Sequence, residues 1–194
     1  MLADHSKGSW NYTRAAVLTA MVFAAAALRI APHPMNFTPI GAVALFGGAY
    51  FPNRRAAVAV PLLSLLAGDI FIGFHPLLLA VYASFLINVA LGYWVCRAKG
   101  SPDPRHRRPA LPLRVGAAIL VGAVQFFLIT NFAMWASAIA SYPKTASGLA
   151  ECYLAGLPLF WNTLAGDAFY SALLFGAMVL AEQRFPRLRE PQPA

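Results

Sequence analysis

The sequence predicts an all-α integral membrane protein of about six transmembrane helices, and three observations carry that prediction. Of 194 residues, 59% are hydrophobic and only 11% charged, against roughly 25% charged in an ordinary soluble domain. The mean hydropathy is +0.60. The apolar residues fall into six runs near the roughly 20 residues that a helix needs to cross a hydrocarbon core about 30 Å thick. A transmembrane barrel requires strands of alternating polarity, whereas Ala56 to Leu66 and Val115 to Ile129 are apolar on nearly every face.

Taken in order, residues 1–13 form a predicted cytoplasmic segment, and the first span covers 14–31. A cleaved signal peptide is the competing account of this region. It is disfavoured because the alanine run continues into Arg29-Ile30-Ala31-Pro32 without a small-x-small cleavage site. Ala16, Ala20 and Ala24 recur every fourth residue, with Ala27 and Ala31 beside them. They clear a smooth groove in which another helix packs closely, either one of the same bundle or a partner's.

The second span, 37–52, is short and carries Gly41, Gly47 and Gly48, after a Pro-His-Pro turn around His33. Spans at 56–74 and 76–96 follow, then a basic loop at 97–112, a fifth span at 113–135, an outer loop at 136–156, a sixth span at 157–182 and a tail at 183–194. These leave one membrane domain, 14–182, and no room for a separate soluble one.

With the N-terminus inside, every one of the 15 Lys and Arg residues except Arg29 and Lys144 falls on the cytoplasmic side. Basic loops resist translocation, so this skew predicts both termini cytoplasmic in a multi-pass protein of the cytoplasmic (inner) membrane. The +8 net charge is thereby explained by topology, and no nucleic-acid partner is predicted. Cys96 and Cys152 fall on opposite sides of the bilayer, which excludes a disulfide between them under this topology.

The chain echoes itself. Leu66-Ala67-Gly68-Asp69 recurs as Leu164-Ala165-Gly166-Asp167, and Asn36-Phe37 as Asn131-Phe132, at offsets of 98 and 95 residues. Two related halves of three helices are the expected reading, although the topology brings all four marked positions to the outer half, which strict inversion would not do. Asp69 and Asp167 lie well inside apolar spans, where an uncompensated charge costs at least about 2.5–3.5 kcal/mol. They therefore pair with Arg29, cap an interrupted helix after Gly68 or Gly166, or bind a solute.

Arg29, Asn36, Asp69, Asn131, Trp135, Asn162 and Asp167 make up the candidate solute-binding set. Amides and aromatic rings in such a set recognise a small polar molecule. His33, His75 and Asp69 are the one conceivable metal-ligand group, but they lack a fixed ligand spacing, so no metal is predicted. Phosphate-loop, HExxH and GxSxG motifs are missing from the chain. The expectation is a protein that is not an enzyme, with no cofactor of its own.

The segments Asn36-Phe37-Thr38-Pro39-Ile40-Gly41-Ala42, Leu45-Phe46-Gly47-Gly48-Ala49-Tyr50-Phe51, Gly68-Asp69, Thr130-Asn131-Phe132 and Asn162 to Asp167 together resemble an uncharacterised family of small bacterial membrane proteins described only as transport proteins. The resemblance covers roughly residues 28 to 180. That family is in turn similar to the substrate-specific, or S, components of energy-coupling factor importers. The similarity implies a six-helix bundle that captures a vitamin-like micronutrient near its outer face, driven by a transmembrane coupling protein and two ATPases. It also implies that the Ala16, Ala20 and Ala24 pattern meets the coupling protein. No known vitamin signature of those components is matched, so the resemblance transfers no substrate. The alternative expectation is a stand-alone secondary transporter that couples its solute to protons through Asp69 and Asp167.

Overall fold

The computed structural model describes residues 11–97, 104–139 and 141–189. The N-terminal segment as far as residue 10, the middle of the basic loop and the last five residues of the tail lie outside the described residues. Six helices run in sequence: α1 (Tyr12–Ala27, continued by a 3₁₀ turn at Leu28–Ile30), α2 (Ile40–Tyr50), α3 (Arg54–Ile72), α4 (Leu78–Arg97), α5 (Pro104–Ala136) and α6 (Ala146–Arg184), followed by a 3₁₀ turn at Pro186–Leu188.

Five of these are long and apolar enough to cross a membrane, and the fold is that of a multi-pass helical membrane protein. The exception is α2. Its 11 residues extend about 16 Å, roughly half the thickness of a hydrocarbon core. Every residue from Ala42 to Ala49 is buried, and α1, α3, α4, α5 and α6 all touch the helix. A helix apolar on all sides has no polar face to offer solvent, so it becomes the axis of the bundle.

Glycine allows this crowding. A methyl at Gly48 would fall on the Val89 carbonyl oxygen, and one at Gly92 on that of Leu45, so α2 and α4 cross with their backbones nearly in contact. Gly47 leaves room in the same way for the Pro61 ring of α3. On the other side of α2, Phe46 meets Phe175 edge to face at 5.5 Å and Tyr50 at 4.7 Å, over a floor of Leu18, Val22 and Met178. Large apolar side chains such as Ile70, Phe71, Leu79 and Leu180 point outward, as a hydrocarbon surround permits.

Both described chain ends meet at one end of the bundle. Asn11 donates to the Arg187 carbonyl at 2.6 Å. The buried Arg14 pairs with Glu182 at 2.6 Å, donates to the Leu188 carbonyl and lies over the Tyr50 ring. The α1–α2, α3–α4 and α5–α6 connections therefore share the opposite end.

Two expected loops are in part helical. The segment read as an outer loop at 136–156 turns helical at Ala146, because Thr145 caps the helix by accepting from the Gly148 amide at 3.2 Å. Pro158 lies within α6 without ending it. The new turns are held against α5 by the Tyr153 hydroxyl on the Leu128 carbonyl and the Trp135 indole on the Pro143 carbonyl. The basic loop at 97–112 likewise gives way to helix at Pro104, a residue pre-shaped for the first helical position.

Candidate functional site

Because α2 is short, the bundle is hollow above it. At the end opposite the termini a cavity of about 460 Å³ opens over the α2 N-terminus, walled by α4, α5 and α6 and roofed by the segment before α2. Four members of the sequence-derived set line it: Arg29, Asn36, Asn131 and Asp167. Asp69, Trp135 and Asn162 do not.

Asp69 stands behind Arg29. It is 1% exposed, takes a 2.8 Å bond from Arg29 Nη2 and a 2.9 Å bond from the Tyr82 hydroxyl. Arg29 Nη1 also donates to the Leu65 carbonyl at 3.2 Å. A methyl at Gly68 would sit 2.7 Å from Arg29 Nη1, so the glycine of the first repeat motif is what lets the guanidinium in. Of the roles open to Asp69, the pairing with Arg29 is the one the geometry realises.

Asp167 has another role. Its carboxylate packs with both oxygens against Gly41, facing the N-terminal end of α2 rather than that of its own helix. A methyl at the adjoining Gly166 would stand 3.1–3.2 Å from the Phe37 and Thr38 backbone. The two Leu-Ala-Gly-Asp motifs thus share a device, glycine admitting a neighbour beside a buried acid, but one acid holds a guanidinium and the other a helix end.

The roof is a tight turn. Asn36 has φ +62°, in the left-handed region that Asn tolerates better than most residues. Phe37 N–H closes the turn on the Pro34 carbonyl, and the Asn162 amide ties Met35 to α6 at 2.9 Å. Trp135 lies beyond the mouth, where the Lys144 ammonium is near its ring and bonded to the Trp135 and Ser137 carbonyls. His33 directs both ring nitrogens at the carbonyls of Pro34 and Arg29, and His75 lines the rim. Among the described residues, no group of three or more His, Cys, Asp or Glu side chains is placed to hold a metal ion.

Sequence reasoning missed Asn88. This α4 residue is 4% exposed, lines the cavity and has no hydrogen-bond partner among the described residues. Beside it, Gln125 donates to the Ser84 carbonyl at 3.1 Å, while Gln125 Oε1 and Ser84 Oγ are buried without partners. A lone amide within Phe85-Leu86-Ile87-Asn88-Val89-Ala90 was the available signal, since uncompensated polar groups are costly in a membrane.

A pattern then emerges that no motif announces. Each principal polar side chain is seated against a glycine of another helix: Arg29 against Gly68, Asn88 against Gly122, Asn131 against Gly156 and Asp167 against Gly41. Any side chain at those glycines would displace the polar group. Asn131 also donates to the Phe127 carbonyl at 2.8 Å, which leaves its Oδ1 and its second N–H unpaired among the described residues. Phe126, Phe127 and Phe160 supply aromatic surface around these groups.

The fold and cavity define a class, a multi-pass helical membrane protein with a largely apolar chamber at one end into which a few polar groups converge. More specifically, residues 10–188 match the model of a family of unknown function, DUF6580, and the chain belongs to that family. No curated protein and no solved structure matches it.

Proposed function

We propose that this protein binds a small polar solute in its chamber and serves as the capture subunit of an energy-coupling-factor-type importer in the bacterial inner membrane. The observation that carries the reading is the chamber itself. Its volume of about 460 Å³ lies within the 300–1,000 Å³ of small-molecule sites, and a few convergent polar groups on an otherwise apolar lining are their usual chemistry. The charge skew of the sequence orients the termini to the cytoplasm and the chamber mouth to the outside.

The coupling-protein half of the proposal is supported by α1. Ala16, Ala20 and Ala24 are all exposed, so the small-residue groove is free of this bundle and open to a partner helix. Under this reading the chamber supplies specificity and a separate coupling protein with two ATPases supplies energy.

The test is purification from native membranes in a mild detergent, with mass spectrometry of retained small molecules and of co-purifying proteins. A retained solute that is lost in Asn88→Leu, together with an ATPase partner lost in Ala20→Leu, is the expected result. Absence of any retained solute, with no uptake by partner-containing liposomes, refutes the proposal. Proton-driven uptake by the protein alone would replace the capture subunit by a secondary transporter.

A further inference from the structure

We infer that the solute is an organic cation whose ammonium group is received by Asp167, Asn131 and Asn88; this rests on the solute-binding reading above. Two features of the chamber, taken alone, predict an anion: the N-terminus of α2 opens into it, and Arg29 lines it. Helix N-termini carry about half a positive charge and attract anions. Both are already satisfied from within. The Asp167 carboxylate already sits on the α2 N-terminus against Gly41, and Arg29 is joined to Asp69 at 2.8 Å and to the Leu65 carbonyl.

What remains is negative. Arg29 and Asp69 cancel, and the half charge of the helix end offsets about half of Asp167. Arg29, His33, His75 and Asp167 are the only ionisable groups lining the chamber among the described residues. His33 faces carbonyls with both ring nitrogens, of which a neutral ring donates from only one, and Lys144 is bound to carbonyls outside the chamber. With the two histidines counted as neutral, Asp167 is the one charge left without a partner of opposite sign.

The free hydrogen-bonding groups agree. Asn131 gives one amide hydrogen to the Phe127 carbonyl, and its oxygen, beside Gly156, accepts from no donor among the described residues. Asn88, 4% exposed, has made no bond and offers an acceptor beside its two N–H donors. An ammonium has three N–H donors and no acceptor, which complements a carboxylate and two amide oxygens. The rings of Phe126, Phe127 and Phe160 add the cation–π attraction that an ammonium gains over a neutral group in a desolvated site. The volume admits a cation with an aromatic or aliphatic body rather than a bare ion.

The experiment uses the full chain in nanodiscs and three probes of nearly equal shape: tryptamine as the cation, indole-3-acetamide as the neutral form and indole-3-acetate as the anion. Binding is read by thermal shift and equilibrium dialysis. Tryptamine is expected to bind at least tenfold tighter than either of the others. Asp167→Asn, which keeps an oxygen for the α2 N-terminus, is expected to bring the three within about threefold. The wild-type order of affinities alone decides the matter should that variant fail to fold. Equal or tighter binding of the amide or the acid overturns the charge assignment and leaves the solute-binding reading standing. No binding by any of the three overturns the cation assignment, while the solute-binding reading falls only if native membranes also yield no retained solute.

Discussion

Removing the carboxylate charge of Asp69 tests whether the Arg29 pair is structural. Both side chains are nearly out of reach of solvent, at 9% and 2% exposure, so Asp69→Asn leaves a guanidinium uncompensated inside an apolar bundle. Breaking a buried pair by neutralising one partner costs about 3–5 kcal/mol. The surviving Arg29 bond to the Leu65 carbonyl and the Tyr82 hydroxyl, which still finds an oxygen on Asn, place the expectation at the lower end. For a chain of this length each kcal/mol lowers Tm by about 2–4 °C, giving a loss of about 6–12 °C by scanning fluorimetry in one detergent. Replacing the whole unit, Arg29→Met with Asp69→Leu and Tyr82→Phe, removes charge and hydroxyl together and should recover most of that loss, because apolar isosteres of a buried pair are often neutral or better. A single variant within 2 °C of wild type, or a triple variant less stable than the single, would refute the reasoning.

Other perturbations follow the same logic. Asn88→Leu removes a buried unpartnered amide, whose burial costs about 1–3 kcal/mol; Tm should rise by a few degrees while solute retention is lost, and a fall in Tm would show that Asn88 is bonded after all. Gly156→Ala drives a methyl into the Asn131 side chain, whose Cγ lies 2.9 Å away, and should destabilise by about 1–3 kcal/mol. Gly176→Ala in the same helix meets nothing within 4 Å and should stabilise by about 0.5–1 kcal/mol, so the difference between their melting temperatures is the readout. Gly48→Leu forces α2 off α4 and should abolish the monodisperse peak in size-exclusion chromatography. Arg14→Ala severs the contact of α1 with Glu182 and Leu188 and should speed tryptic cleavage after Arg184 or Arg187 severalfold; unchanged cleavage would mean that the chain ends are held by Asn11 alone.

Much of the fold was legible along the chain because hydrophobic length is a local property. The third and fourth spans were expected at 56–74 and 76–96 and are helices at Arg54–Ile72 and Leu78–Arg97. The second was read as short and glycine-rich, which it is, but its place at the centre of the bundle depends on which neighbours accept its glycines. The sixth began at Ala146, eleven residues before its expected start at 157. Gly148, Gly156 and Pro158 have the local chemistry of a loop, and only packing against α5 and the Thr145 cap overrule it.

The candidate site was legible only by its costs. Buried acids and amides are expensive in hydrocarbon, so Asp69 and Asp167 stood out wherever they pointed, and the same rule marks Asn88. Composition, run length and the distribution of Lys and Arg depend on residues one at a time, which is why they predict helices, their number and the membrane without knowledge of contacts. The partners of Arg29, Asp167 and Asn131, and the glycine behind each, depend on helices that meet tens of residues apart in sequence. Tertiary structure alone decided that the first repeated aspartate neutralises a cation behind the wall while the second sits on the N-terminus of the central helix inside the chamber, because a carboxylate buried in a low-dielectric bundle takes its role from the nearest donor.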